Sequence, residues 1–129
     1  MSLRKSEQSM EDYLETILIL GKKLPAVRSV DVANELGFKK SSVSVAMKNL
    51  LAQGHITITD VGKYIILTES GKKIAETIYE RHNLLTKWFI ELGVNKDIAE
   101  EDACRIEHEI SAESFEALKK FFKRHESKN

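Results

Sequence analysis

SVDVANELGFKKSSVSVAMKNLLAQG (residues 29–54) holds two short apolar periodicities on either side of one glycine. In the first, Val32, Ala33 and Leu36 recur at three- and four-residue steps behind a capping Ser29, which predicts a helix over 30–36 ended by Gly37. In the second, Val43, Ala46, Met47, Leu50 and Leu51 keep the same spacing behind a capping Ser41, which predicts a helix to about Gln53. Phe38-Lys39-Lys40 is the tight connection between them. Two short helices joined around a glycine make a helix-turn-helix pattern. The second helix carries Lys39, Lys40, Ser41, Ser42 and Ser44 at its N-terminal end, with Lys48 one turn on. In this motif that end enters the major groove of DNA.

The flanks support the same reading. Gly54 stops the second helix, and His55 to Thr59 is rich in β-branched residues, as a strand requires. Asp60-Val61-Gly62-Lys63 reads as a turn and Tyr64-Ile65-Ile66-Leu67 as a returning strand. A hairpin directly after a recognition helix is a wing, and its tip sets Lys63 against phosphate. Short helix pairs alone are common in any bundle. Helix, helix-turn-helix and wing in this order, with basic residues at both contact points, are more specific. Upstream, Ser9 caps a first helix to about Lys22 whose stripe is Leu14, Ile17, Leu18 and Leu20. Residues 1–8 are polar and fall outside it, Gly21 and Pro25 close it, and Ala26-Val27-Arg28 fits a very short strand.

Downstream, Thr68 caps a long helix from about Glu69 to Leu92, with Ile74, Ile78, His82, Leu85, Phe89 and Leu92 along one face. Gly93 breaks it. Asn95 caps the next helix, to about Ile110, and Ser111 caps a last one over Ala112–His125 with Phe115, Leu118, Phe121 and Phe122 inward. These apolar faces exceed what a small winged module can cover, which points to a helical homodimer interface. The expected fold is mainly α: an N-terminal winged helix-turn-helix of three helices and a two-stranded wing, then a long linker helix and a helical dimerisation domain. The expected domains are 1–72 for DNA binding and 73–129 for the linker helix and the metal-binding and dimerisation part.

The chemistry concentrates in DACRIEH (102–108). On a helix, Cys104, Glu107 and His108 stand at i, i+3 and i+4 and share a face. Thiolate, carboxylate and imidazole together form a donor set for a divalent transition metal. Three ligands rarely close a site, and Asp12, Glu15 and His82 are the further candidates. Each has a plainer reading when taken singly. Asp12, Glu15 and Glu107 are then solvated acids, His82 a hydrogen-bonded histidine in an apolar stripe, and Cys104 a small buried apolar residue.

Composition bounds the rest. The chain has 129 residues, enough for one or two small domains, and a formal charge of zero, so no overall basicity announces nucleic acid. Distribution says more. Lys39, Lys40, Lys48 and Lys63 face only Asp60 in the middle of the chain, whereas Asp97, Glu100, Glu101, Asp102, Glu107 and Glu109 face only Arg105 in the later segment. A single cysteine points to a reducing cytoplasm, and the absence of an apolar signal core or a bilayer-length run predicts no membrane partner. Catalysis finds no support: there is no His-Glu-x-x-His, no nucleophile elbow and no glycine-rich phosphate loop, which disfavours a metallohydrolase. The other competing reading is a metal-independent winged-helix regulator that senses oxidants through Cys104.

In order, SMEDYLETI (9–17), the segment 27–54, LTESGKKIA (67–75), YERHNLL (79–85) and EEDACRIEHEIS (100–111) resemble the diphtheria-toxin-repressor and manganese-transport-regulator family of metal-dependent repressors. The resemblance covers nearly the whole chain and implies a repressor of metal-uptake genes that binds a palindromic operator as a homodimer. It implies metal ligands at Asp12, Glu15, His82, Cys104, Glu107 and His108. Asp12 stands where manganese-type members carry aspartate and iron-type members methionine, whereas Cys104 matches the iron type and replaces a manganese-type glutamate. The site is a hybrid, for which Mn²⁺ or Fe²⁺ is expected first and Zn²⁺ or Co²⁺ also fit the donors. Cys104 offers either its sulfur or its backbone carbonyl, and the carbonyl would make the set harder and favour manganese. Thr86 and Glu100 stand at the iron-type ancillary site and depart from its pattern. The chain ends where the SH3-like domain of longer members begins, which implies a short form.

Overall fold

Amphipathic helices that have nowhere to hide an apolar face alone account for most of the architecture. The computed structural model describes residues 2–127, and side chains from 9 to 126. Along the chain run α1 (Ser2–Lys23), α2 (Ser29–Leu36), α3 (Lys40–Ala52), β1 (Ile56–Ile58), β2 (Ile65–Leu67), α4 (Glu69–Glu91), α5 (Lys96–Ile106) and α6 (Ala112–Ser127). Two compact units divide after Thr77, inside α4. The fold is mainly helical with one small wing, as the periodicities predict. Among the described residues, no helix is long and apolar enough to cross a membrane.

The first unit packs Leu14 and Ile17 of α1, Val32 and Ala33 of α2, and Val43, Met47 and Leu50 of α3 around Ile56 and Ile65 of the hairpin. Each Val, Leu, Ile or Met among them contributes about 1.5–3 kcal/mol when fully buried. α1 begins at Ser2, seven residues before the predicted start at Ser9. The segment before Met10 has no apolar stripe to signal a helix, but its composition has good helix propensity. α2 starts one residue early as well. Arg28 is the extended N-cap residue, and its backbone N–H donates to Asp31 Oδ2 at 2.9 Å, so Ser29 is inside the helix. Gly37, left-handed at φ 69°, ends α2 as predicted. Leu51, predicted to face inward, is exposed on α3.

No strand forms at Ala26–Arg28: among the described residues its one backbone hydrogen bond to the sheet is Ile65 N–H to Val27 O at 2.7 Å. β1 and β2 pair antiparallel with Ile56 opposite Leu67, Thr57 opposite Ile66 and Ile58 opposite Ile65. Alternation turns Ile56 and Ile65 into the core and leaves Thr57 and Ile66 outside. Both strands are shorter than predicted, though Thr59 N–H still donates to Tyr64 O at 3.0 Å beyond the paired residues. α4 then starts hard against β1. Thr68 Oγ1 accepts from Gly71 N–H and donates to Gly54 O at 2.7 Å, and a Cβ on Gly71 would lie 2.0 Å from His55 O. Only glycine lets the backbones approach this closely.

In the second unit, α4 from Ile78 onward packs with α5 and α6 around Leu85, Trp88, Ala103 and Phe115. Trp88, absent from the predicted stripe, is its largest anchor, stacked on Phe122 with centroids 4.9 Å apart and planes 8° apart. Leu92, placed on that stripe, lies just past the last helical residue and is exposed. Asn95 and Ser111 cap as predicted: Asn95 Oδ1 accepts from Asp97 N–H at 2.9 Å, and Ser111 Oγ from Ser114 N–H at 3.0 Å.

Candidate functional site

Within the second unit, two imidazoles meet one buried carboxylate. His82 Nδ1 lies 2.8 Å from Glu107 Oε2, and His108 Nε2 lies 3.3 Å from Glu107 Oε1. The Glu107 side chain is only 1 % exposed. Removing an ionised carboxylate from water costs several kcal/mol unless charge or hydrogen bonds replace the water. The His82 contact serves one oxygen, whereas Oε1 accepts no hydrogen bond from the described residues. A buried carboxylate oxygen left in this condition, flanked by two nitrogen donors, fits a divalent cation.

The local backbone explains how Glu107 turns inward. α5 ends at Ile106, four residues before the predicted end near Ile110, and Glu107 is its C-cap, donating N–H to Ala103 O at 2.9 Å. The carbonyls at and just beyond a helix end need outside donors. Arg81 supplies two: Nη1 donates to the C-cap Glu107 O at 3.1 Å and to Ile110 O in the following turn at 3.0 Å, with its guanidinium carbon 5.6 Å from the Phe115 ring centre. Sequence reasoning missed Arg81, although it stands beside His82. His82 itself is held on α4, where its carbonyl accepts from Thr86 Oγ1 at 2.7 Å.

Cys104 does not share this inward face. The buried line of α5 runs Ala99, Ala103 and Glu107, at four-residue steps, and Cys104 lies one residue round from it and is exposed. One helical residue is a rotation of about 100°. The structure therefore brings together His82, Glu107 and His108, while Cys104, one turn before His108, is exposed. Asp12 and Glu15 lie one turn apart on α1 of the first unit, both half-buried beside Leu14.

The nucleic-acid candidates sit on the opposite kind of surface. Val43, Met47 and Leu50 bury the inner side of α3, which leaves Lys40, Ser41, Ser42, Ser44 and Lys48 exposed, with Lys39 exposed at the N-cap. Val45, 59 % exposed on the same helix, was not foreseen. Its absence from the apolar stripe was the available signal, and an outward valine suits a thymine methyl. Lys63 is exposed at the wing tip in a left-handed conformation, φ 55°.

Comparison with known proteins agrees with this division of chemistry. Residues 6–60 match the model of the iron dependent repressor N-terminal DNA binding domain, and residues 68–128 that of the iron dependent repressor metal binding and dimerisation domain. Transcriptional regulator MntR of Escherichia coli O6:H1 is 33% identical over 92% of this chain and 76% of its own. An HTH-type transcriptional regulator of Methanocaldococcus jannaschii is 34% identical over 94% of this chain and 98% of its own. The fold resembles a manganese-dependent transcriptional repressor solved in complex with manganese, with a TM-score of 0.75 and 26% identity over 84% of this chain. This chain spans only 50% of that structure's length. These relatives are transcriptional regulators, not enzymes. The chain belongs to the iron-dependent repressor family of metal-dependent transcriptional regulators.

Proposed function

We propose that this chain is a metal-responsive repressor of metal-uptake genes, acting in the cytoplasm as a homodimer on a palindromic operator. Residues 1–72 bind DNA in this reading, and residues 73–129 bind metal and dimerise. The observation that carries it is the buried Glu107 carboxylate between His82 and His108. A divalent cation, Mn²⁺ or Fe²⁺ first, would serve the Glu107 Oε1 that accepts no hydrogen bond from the described residues and impose a fixed geometry across the donors. Asp12, Glu15 and Cys104 complete the proposed set through the family pattern. In this reading Cys104 donates through its backbone carbonyl, a harder donor that favours manganese. Zn²⁺ and Co²⁺ remain chemically compatible competitors.

An apolar groove of about 630 Å³, lined by Leu85, Phe89, Ile106, Phe121 and Phe122 among others, supports dimerisation through the second unit. A two-fold dimer presents two copies of α3, and half-sites in successive major-groove turns follow from that symmetry. Lys39, Lys40, Ser41, Ser42, Ser44, Lys48 and Lys63 are the proposed DNA contacts. Regulation requires the DNA-competent state to bind metal more tightly, and the coupling cannot exceed that difference.

Anaerobic titration with Mn²⁺, Fe²⁺ and Zn²⁺, reading stoichiometry and operator affinity together, tests the proposal. Mn²⁺ is expected to raise operator affinity by at least about tenfold, within the usual range of allosteric coupling. Cys104→Ala is expected to retain that response. If no metal changes operator affinity, the proposed function is wrong; if only Cys104→Ala loses the response, the carbonyl assignment is wrong.

A further inference from the structure

The wing tip is held by side chains that neither recognition helix nor strand pairing supplies. Thr59 Oγ1 donates to Val61 O at 2.8 Å and accepts from Tyr64 N–H at 2.9 Å, closing the turn on itself. Gly62, at φ 84°, lies against the Tyr64 ring so closely that a Cβ would be 2.6 Å from it. On Tyr64 sits Arg28, from the extended residue before α2, with its guanidinium carbon 4.9 Å from the ring centre and Nη2 3.3 Å from the hydroxyl oxygen. Next to it Val27 O accepts Ile65 N–H at 2.7 Å.

We propose that Arg28 is a positioning residue for DNA binding: by stacking on Tyr64 it fixes the wing tip and so the direction in which Lys63 points. This rests on the reading of the first unit as the DNA-binding part. A two-stranded ribbon of three residues each is marginal by itself, so its tip needs an outside anchor. Arginine suits the task because a planar guanidinium stacks on an aromatic face while one nitrogen bonds the hydroxyl; lysine cannot do both. The competing role for an exposed arginine beside a helix-turn-helix is a phosphate contact of its own.

Arg28→Lys separates the two. It keeps the charge, and the Arg28 backbone N–H that bonds Asp31 is untouched, so α2 keeps its start. In protein without DNA, the Tyr64 amide is expected to exchange with solvent about three- to tenfold faster in Arg28→Lys, the size of a lost exposed stack and hydrogen bond. On operator DNA, affinity is expected to fall by a similar factor in Arg28→Lys. In a Lys63→Ala background the same change is expected to add less than about twofold, because the fixed tip then has no charge to aim. Unchanged Tyr64 exchange overturns the proposal, and so do fully multiplicative losses in Arg28→Lys, Lys63→Ala and the pair, which would indicate an independent phosphate contact. Should the unaltered protein bind no DNA, the DNA-binding reading fails while the exchange measurement still judges the Arg28–Tyr64 clamp.

Discussion

Lys40, Ser41, Ser42, Ser44 and Lys48 stand exposed on a helix whose other side is the core, while Glu107 is buried with His108 against it and His82 partly covered. The first unit thus carries its proposed contacts on a surface that costs folding almost nothing, and can lose them one at a time. The second carries its proposed site in the interior, where a charged group without partners is destabilising and each donor depends on its neighbours. Charge on the outside gives additive, salt-screened recognition; charge on the inside gives a centre that responds as a unit to whatever neutralises it.

The largest expected effect breaks the inner site. Glu107→Ala removes the carboxylate that joins the two imidazoles and is expected to lower metal affinity by at least about 100-fold, since changes to groups merely supporting a ligand already cost 10–100-fold. Isothermal titration measures it, and a loss below about threefold would place the metal centre elsewhere. The next effect sharpens the contrast from the first unit, where the tightest constraint is backbone contact and not charge. Gly71→Ala drives a methyl into His55 O and is expected to cost about 2 kcal/mol, read as a lower urea midpoint. An unchanged midpoint would mean that α4 and β1 separate easily at this contact.

The smallest effect belongs to an outer pair of the second unit. Lys119 Nζ donates to Glu80 Oε2 at 2.9 Å, and this hydrogen bond holds the Lys119 amine above its ordinary pKa. Its stabilising contribution is therefore full below the ordinary lysine range and fades as pH rises through the raised value. Both side chains are more than a third exposed, so solvent screening limits the pair to about 1 kcal/mol or less. Glu80→Gln is expected to flatten the loss of stability on going above about pH 10. A stronger effect than that would contradict the view that outer charges matter little to folding.

Much of the fold was legible because its signals are local. The stripes Val32–Ala33–Leu36 and Val43–Met47–Leu50 lie within single helices, and Asn95 and Ser111 cap groups two or three residues away. The end of α5 was not legible, because the arginine that donates to the carbonyls of the turn after it, Glu107 O and Ile110 O, comes from 26 and 29 residues earlier in the chain. The candidate site shows the same limit. Spacing alone puts Cys104, Glu107 and His108 on one side of a helix, yet helical spacing defines a broad sector and packing chooses the line within it. Ala99 and Ala103 are small enough to let α5 press inward along that line, which carries Glu107 in, while Cys104 is exposed. Trp88 and Val45 were missed for a related reason: whether a residue on a helix is inside depends on which neighbours arrive, and those come from α6 in the one case and are missing in the other.

Lys63 holds a backbone shape, φ 55°, that glycine or asparagine adopts with less strain. For other residues a left-handed conformation costs on the order of 1–2 kcal/mol. The residue that would best relax the turn is thus not one that can bring a positive charge to its tip. If Lys63 meets phosphate as proposed, selection for heat resistance alone would favour glycine at this position and weaken the hold on DNA, so thermal stability and operator affinity would be opposed at a single dihedral angle.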